Sequence, residues 1–302
     1  MTPLQRYIAE EIAIDHADGL LTRREALRRL GLIGLGVAAA TSLLAACSTG
    51  GDEQSSTSAP VTPGGATPPP PGVADAVGTE AVTFPGPDGR ELQGAWAEAA
   101  EPRGTVLVIH ENKGLTDHIR SVAGRFAGAG YSALAVDLLS EEGGTATFTD
   151  QAQATAALAT VPPARFVADM KAGVDELGRR VPDEKTAAVG FCFGGGMVWQ
   201  LLASGEPRLA AAVPFYGPLP EGADFSGSKA AVLAIYAELD ARVNASRDAA
   251  AAALTKAGLP HEIVTVPGAD HAFFNDTGPR YNAAAAAEAY ERVLAWFGEY
   301  VG

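Results

Sequence analysis

Thr186-Ala187-Ala188-Val189-Gly190-Phe191-Cys192-Phe193-Gly194-Gly195 is the stretch whose reading decides the fold. Its first six residues form an apolar and β-branched run, as in a strand buried on both faces of a parallel sheet. Gly195 to Ala203 follow with a helical pattern. Cys192 sits at the changeover, with glycine two positions before it and two after it. A strand that turns straight into a helix needs small residues at those positions, because larger side chains collide in so tight a turn. The turn residue then emerges at the carboxyl end of the sheet. The N-terminus of the next helix points at it and lowers the pKa of a thiol placed there.

Working outward, seven further runs read as strands: Ala81 to Phe84, Leu92 to Ala97, Thr105 to His110, Ser132 to Val136, Ala210 to Phe215, Ala231 to Tyr236 and Glu262 to Val266. Helix-length patterns lie around Ile119 to Ala129, Pro163 to Arg179, Ala245 to Ala257 and Arg280 to Tyr300. Strand followed by helix, repeated, predicts an α/β fold: a doubly wound, mostly parallel sheet of about eight strands flanked by helices. The first two strands have no helix between them, which predicts an antiparallel hairpin at one edge.

The chain before Glu80 has a different character. Thr22-Arg23-Arg24-Glu25-Ala26-Leu27-Arg28 precedes an uncharged apolar run from Leu30 to Ala46, the layout of an export signal. The arginine pair resembles the twin-arginine signal, with Ala26 at its usual aromatic position. Leu44-Ala45-Ala46-Cys47 resembles the lipobox of bacterial lipoproteins, in which the cysteine thiol is lipidated. These features imply an exported protein anchored by lipid at Cys47 to the outer face of the cell membrane, or one released to the periplasm or outside. The alternative is one membrane helix, since the run is about the minimum length for a span. From Ser48 to about Gly78, Ser, Thr, Pro, Gly and Ala dominate. The expected organisation is an export signal over residues 1–46, a disordered tether over 47–79 and one α/β domain over 80–302.

The chain of 302 residues is 47% hydrophobic, with a formal charge of −14. Residues 1–46 carry equal numbers of acidic and basic side chains, so the remainder keeps the whole −14. Such a surface repels phosphate backbones and anionic headgroups, which argues against nucleic acid as a partner and leaves a lipid anchor as the expected membrane attachment. The only cysteines are Cys47 and Cys192, so no disulfide framework is expected.

Gly190-Phe191-Cys192-Phe193-Gly194 matches the G-x-S-x-G nucleophile elbow with cysteine replacing serine. A thiol nucleophile needs a base, and the base an orienting acid, in the chain order nucleophile, acid, histidine. Of the two histidines after Cys192, His271 lies in a glycine-containing loop just after the last strand, whereas His261 opens that strand at the opposite end of the sheet. Asp240 follows the Ala231 run at its carboxyl end. Asp270 is its rival, but a residue adjacent to His271 turns back poorly onto its ring. A helix cap is the other reading of Asp240.

These residues resemble the dienelactone hydrolase family (carboxymethylenebutenolidase-like, within the α/β-hydrolase superfamily) over essentially all of residues 80–302. The motifs are G-F-C-F-G-G from Gly190, A-E-L-D ending at Asp240, H-A-F-F-N-D-T-G-P-R-Y from His271 to Tyr281, and Val108-Ile109-His110-Glu111-Asn112-Lys113-Gly114. The resemblance implies catalytic Cys192, Asp240 and His271, a thiol-contacting carboxylate at Glu111, and an oxyanion hole from the backbone N–H groups of Asn112 and Phe193. It also implies two arginines that hold a substrate carboxylate, and neither is in place. The first region reads Asp137-Leu138-Leu139-Ser140-Glu141-Glu142 and the second position is Asn275. A neutral ester or lactone is therefore the expected substrate unless Arg165 or Arg280 reaches in. No motif calls for a cofactor or metal. The competing readings are a non-catalytic, surface-tethered binding protein on an α/β-hydrolase scaffold and a thiol redox protein, the latter lacking a resolving cysteine.

Overall fold

The structure is a computed structural model that describes residues 1–48 and 68–302, with the side chains of Cys47 and Ser48 excepted. It divides into two compact units, one of residues 1–68 and 148–161, the other of residues 69–147 and 162–302.

The smaller unit is helical. α1 (Pro3–Ala17) begins at a capping box in which Thr2 accepts from the Gln5 N–H, and it buries Leu4, Ile8 and Ile12 on one face. α2 (Arg23–Leu32) is capped by Thr22 and buries Ala26 and Leu30. α3 (Val37–Ser48) follows after Gly34, which takes a left-handed φ of 89°. The apolar run from Leu30 to Ala46 is thus split between two helices, and no helix among the described residues is long and apolar enough to cross a membrane. The middle of the chain adds a helix to this unit, capped by Asp150, whose carboxylate also meets Arg28 at 2.7 Å. The Cys47 thiol and most of the expected tether lie outside the described residues.

The larger unit opens at Pro69, ahead of the Glu80 boundary read from the sequence, and the Val77 N–H bonds to the Gly124 carbonyl at 3.0 Å. Its strands are β1 (Glu80–Pro85), β2 (Glu91–Ala97), β3 (Thr105–Ile109), β4 (Ser132–Val136), β5 (Thr186–Phe191), β6 (Leu209–Phe215), β7 (Ala231–Ala237) and β8 (His261–Val266). They form one sheet in the order β1-β2-β4-β3-β5-β6-β7-β8. β1 pairs antiparallel with β2 and β2 with β4; the other neighbours are parallel. Every residue of β3, β4, β5 and β7 is buried, which is why these segments read as continuous apolar runs. The helices that complete the numbering are α4 (Asp117–Gly128), the middle-chain helix α5 (Gln151–Thr160), α6 (Pro163–Arg180), α7 (Phe193–Ala203), α8 (Ala241–Asn244), α9 (Arg247–Ala257) and α10 (Ala283–Tyr300). This is the α/β-hydrolase architecture.

The order places β5 centrally, between β3 and β6, and its end is packed tightly. A Cβ on Gly190 would lie 2.2 Å from the Gly194 carbonyl oxygen, one on Gly194 2.4 Å from that of Ile109, and one on Gly195 2.3 Å from that of Phe215. The glycines thus let α7 start directly against the ends of β3 and β6. Gly195→Ala is expected to destabilise the fold by about 2–3 kcal/mol through overpacking against fixed backbone. Gly178→Ala, at an exposed point of α6 with open space around it, is expected to stabilise by about 0.5–1 kcal/mol. Guanidinium unfolding midpoints of the two variants check both signs.

Candidate active site

Cys192 has φ 57° and ψ −117°, outside the helical and sheet regions. A side chain held there marks a strained turn, and such strain persists only where the surroundings enforce it. Here the Cys192 N–H donates to the Phe215 carbonyl at 3.1 Å, and its own carbonyl accepts from Gly196 at 3.1 Å in the first turn of α7. The side chain is buried, and its sulfur lies within 4.8 Å of a ring nitrogen of His271.

His271 stands in the loop after β8. Its Nδ1–H donates to Asp240 Oδ2 at 2.5 Å, in a buried pair. Asp240 follows β7 and uses its other oxygen to accept from the Val243 N–H at 3.1 Å, capping α8. The two readings of Asp240 are therefore both true at once, one oxygen for each. Burial works against the charge on this carboxyl. The hydrogen bond and charge of His271, with Arg242 and the Val243 N–H, nevertheless hold it below the ordinary value of 3.8. Burial likewise opposes protonation of His271, yet the charge of Cys192, then the bonds to Asp240 and Cys192, raise it well above 6.5. Asp270 is engaged elsewhere, accepting from the His271 backbone N–H at 2.6 Å and from Arg280 Nε at 3.2 Å. His261 lies at the start of β8, away from the other three.

The loop after β3 brings Glu111 and Asn112, both buried, to the same end of the sheet. Its shape depends on His110, a residue the sequence reading quoted without a role. The His110 Nδ1–H donates to the Glu111 carbonyl at 2.6 Å, and Nε2 accepts from the Leu138 N–H at 3.1 Å. Complete burial, outweighing Asp137 and Glu111, lowers its pKa and keeps the ring neutral in this tautomer. The ring also stacks on Phe193, with centroids 6.0 Å apart. Phe193 opens α7, so its backbone N–H is one of the first-turn donors that lack an intrahelical partner.

Asn275 donates through Nδ2 to Glu111 Oε2 at 2.6 Å, and its Oδ1 accepts from the Thr277 N–H at 3.0 Å, which fixes the amide's orientation. The two arginines that the sequence offers as substitutes are paired with carboxylates. Arg165 bonds to both oxygens of Glu142, at 2.7 and 2.9 Å, and also meets Glu141. Arg280 pairs with Asp270. Tyr216 was missed by the sequence reading altogether. It follows β6 with φ 33°, is fully buried, and meets the His271 ring edge-on at 5.2 Å. The only hint in the sequence was a bulky residue before Gly217 at the end of a strand.

Residues 92–301 match the model of the "Dienelactone hydrolase family". A protein of Escherichia coli O157:H7 named as a candidate carboxymethylenebutenolidase is 34% identical over 214 residues, covering 67% of this chain and 79% of its own. A candidate dienelactone hydrolase from Klebsiella pneumoniae superposes with a TM-score of 0.64 at 30% identity, covering 74% of this chain and 99% of its own. A dienelactone hydrolase-like promiscuous phosphotriesterase from metagenomic libraries gives the same TM-score at 26% identity, covering 74% of this chain and all of its own.

The opposed shifts of Asp240 and His271 define a pH window. A raised His271 contributes stability that is complete below its ordinary 6.5 and lost as pH rises through the folded value; a lowered Asp240 contributes above 3.8, and that is lost as pH falls through the folded value. The stability advantage of the wild type over His271→Gln is therefore expected to be greatest between these two values and to shrink on both sides. Thermal unfolding of both proteins across pH measures it.

Proposed function

The chain belongs to the dienelactone hydrolase family and is a lactone or ester hydrolase, and from that premise we propose that it works through an acyl-enzyme on Cys192, with His271 as base and Asp240 as orienting acid. The observation that carries this reading is the position of the His271 ring, bonded to Asp240 through Nδ1 and close to the Cys192 sulfur. The sulfur, having passed its proton to His271 Nε2, attacks the carbonyl carbon of the ester or lactone. The carbonyl electrons move onto oxygen, where the backbone N–H groups of Asn112 and Phe193 stabilise the oxyanion. As the tetrahedral species collapses, the C–O bond to the leaving oxygen breaks and His271 protonates that oxygen. Water then gives a proton to His271 and attacks the thioester, the C–S bond breaks, and the acid departs. Asp240 holds the imidazole tautomer throughout and stays ionised.

The substrate is a neutral ester or lactone. Where the resemblance implies a cation, this chain has Asn275 bonded to Glu111, and Arg165 and Arg280 are neutralised by Glu142 and Asp270. A substrate carboxylate at that position would meet the Glu111 carboxylate where the resemblance implies a guanidinium.

Cys192→Ala and His271→Ala are expected to lower kcat/KM for a chromogenic acetate ester by at least about a thousandfold, and Asp240→Asn to retain about ten to a hundred times more activity than His271→Ala. Wild-type protein is expected to give a pre-steady-state burst in stopped flow. Equal hydrolysis by wild type and Cys192→Ala would remove the assignment. Asn275→Arg is expected to raise the ratio of kcat/KM for a carboxylate-bearing ester over a neutral one by about tenfold.

The proposed setting is outside the cytoplasm, with residues 1–46 removed and Cys47 lipidated. Support comes from the arginine pair, the apolar run and the Leu44-Ala45-Ala46-Cys47 sequence. More than one acyl chain is needed for stable anchoring. Cys47→Ala is expected to shift the protein from the membrane fraction to the soluble one with esterase activity retained. Firm membrane association of that variant would contradict the lipid anchor.

A further inference from the structure

Tyr216 is held where a tyrosine is costly. Its φ of 33° lies in the left-handed region, which favours glycine and penalises a bulky side chain. Two contacts force that geometry. The Tyr216 N–H donates to the Ile235 carbonyl at 2.7 Å, and the following Gly217 lies so close to α7 that a Cβ there would come 2.2 Å from the Gly195 backbone. The chain thus keeps a large aromatic at a position whose backbone suits glycine.

The side chain is completely buried. Phe273, Phe215 and Phe191 pack around the ring, with centroids at 5.4, 5.8 and 6.4 Å, and the His271 imidazole completes the enclosure edge-on at 5.2 Å. No hydrogen bond of good geometry satisfies the hydroxyl. The Phe274 N–H approaches it as a donor, but the hydroxyl's own proton has no acceptor, a cost that phenylalanine would avoid, so packing alone does not account for tyrosine here. The charged groups around the hydroxyl give the reason. Glu111 in the β3 loop and Cys192 at the elbow both act on it electrostatically; the His271 ring, bonded to Asp240 and within 4.8 Å of the Cys192 sulfur through one nitrogen, meets the Tyr216 ring from the β8 loop. Burial first, then those two negative charges, push the phenol well above its ordinary 10, against a smaller opposing pull from the Phe274 N–H. It stays a hydrogen-bond donor at every working pH.

We propose that Tyr216 is a further member of the reactive centre, its hydroxyl donating to the Cys192 sulfur as negative charge develops there while its ring holds the His271 imidazole in place. The hydroxyl adds a donor for the thiolate to the stabilisation that His271 and the N-terminus of α7 provide. The inference rests on the hydrolase reading only for what the sulfur then attacks.

The test is Tyr216→Phe in the full chain, following alkylation of the Cys192 peptide by iodoacetamide across pH by mass spectrometry, so that Cys47 does not contribute. The acid limb of the alkylation profile is expected to move to higher pH, and the rate near neutrality to fall by about tenfold, as for loss of one hydrogen bond to a charged group. kcat/KM for a neutral ester should fall in parallel with KM little changed, and the unfolding midpoint should stay level or rise. An alkylation profile identical to wild type would overturn the proposal. So would failure of Tyr216→Phe to fold, which would make the hydroxyl structural. Absence of an ester burst in the wild type would remove the hydrolase reading alone, because alkylation reads the sulfur without any substrate.

Discussion

The turn at Cys192 is the constraint on which the rest of the α/β unit depends. A strand that becomes a helix within one residue forces that residue to φ 57° and ψ −117°, and it tolerates no side chain at Gly190, Gly194 or Gly195 because backbone oxygens lie 2.2 to 2.4 Å from where each Cβ would sit. The same closeness fixes the neighbours. β3 ends against Gly194, so its loop delivers Glu111 and Asn112 beside the sulfur; β6 ends against Gly195, so Tyr216 is bent into its left-handed conformation. The local strain at the elbow is thus tied to three loops that converge at one end of the sheet, the usual place for a ligand in an open α/β sheet.

Electrostatics then determine what the converged groups can do. Buried charges are tolerated only when paired and hydrogen-bonded, and each carboxylate at this end of the sheet has a specific partner. Asp240 divides its oxygens between His271 and the first turn of α8, so the residue that orients the imidazole is itself anchored to a helix. Glu111 is held by Asn275, four positions beyond His271. Asp276, one residue further, accepts from His118 Nδ1 at 2.5 Å and from Arg125 at 2.8 Å, both on α4 and both buried. The loop bearing His271 is therefore pinned to α4 by a charged cluster and to the β3 loop by an amide. This is the pre-organisation that placing a base near a thiol requires.

Much of this was legible in the sequence, for identifiable reasons. All eight strands were located within a residue or so of their ends, because buried parallel strands are continuous apolar runs and their helices are amphipathic. Cys192, Asp240 and His271 were picked out by chain order and by position at strand ends. α5 was missed because Gln151-Ala152-Gln153-Ala154-Thr155-Ala156-Ala157-Leu158 carries little periodic contrast between polar and apolar positions. Residues 1–46 were read as an export signal from the arginine pair and the uncharged apolar run, and the helices found there bear on neither export nor cleavage. Tyr216 and His110 escaped because their roles lie in a backbone strain and a tautomer, neither of which leaves a mark on residue spacing. The exchange of arginine for Asn275 was visible, but its bond to Glu111 is a tertiary contact between residues far apart in the chain.

The central claim is that Cys192 carries the acyl group. The most direct measurement is acid quench of the wild-type protein during turnover of an acetate ester, followed by peptide mass spectrometry. The account predicts one acetyl group on the peptide containing Cys192, labile to hydroxylamine as a thioester is, and appearing within the first turnover. Full turnover with that peptide unmodified at every quench time, or with the acetyl group on another residue, would contradict it.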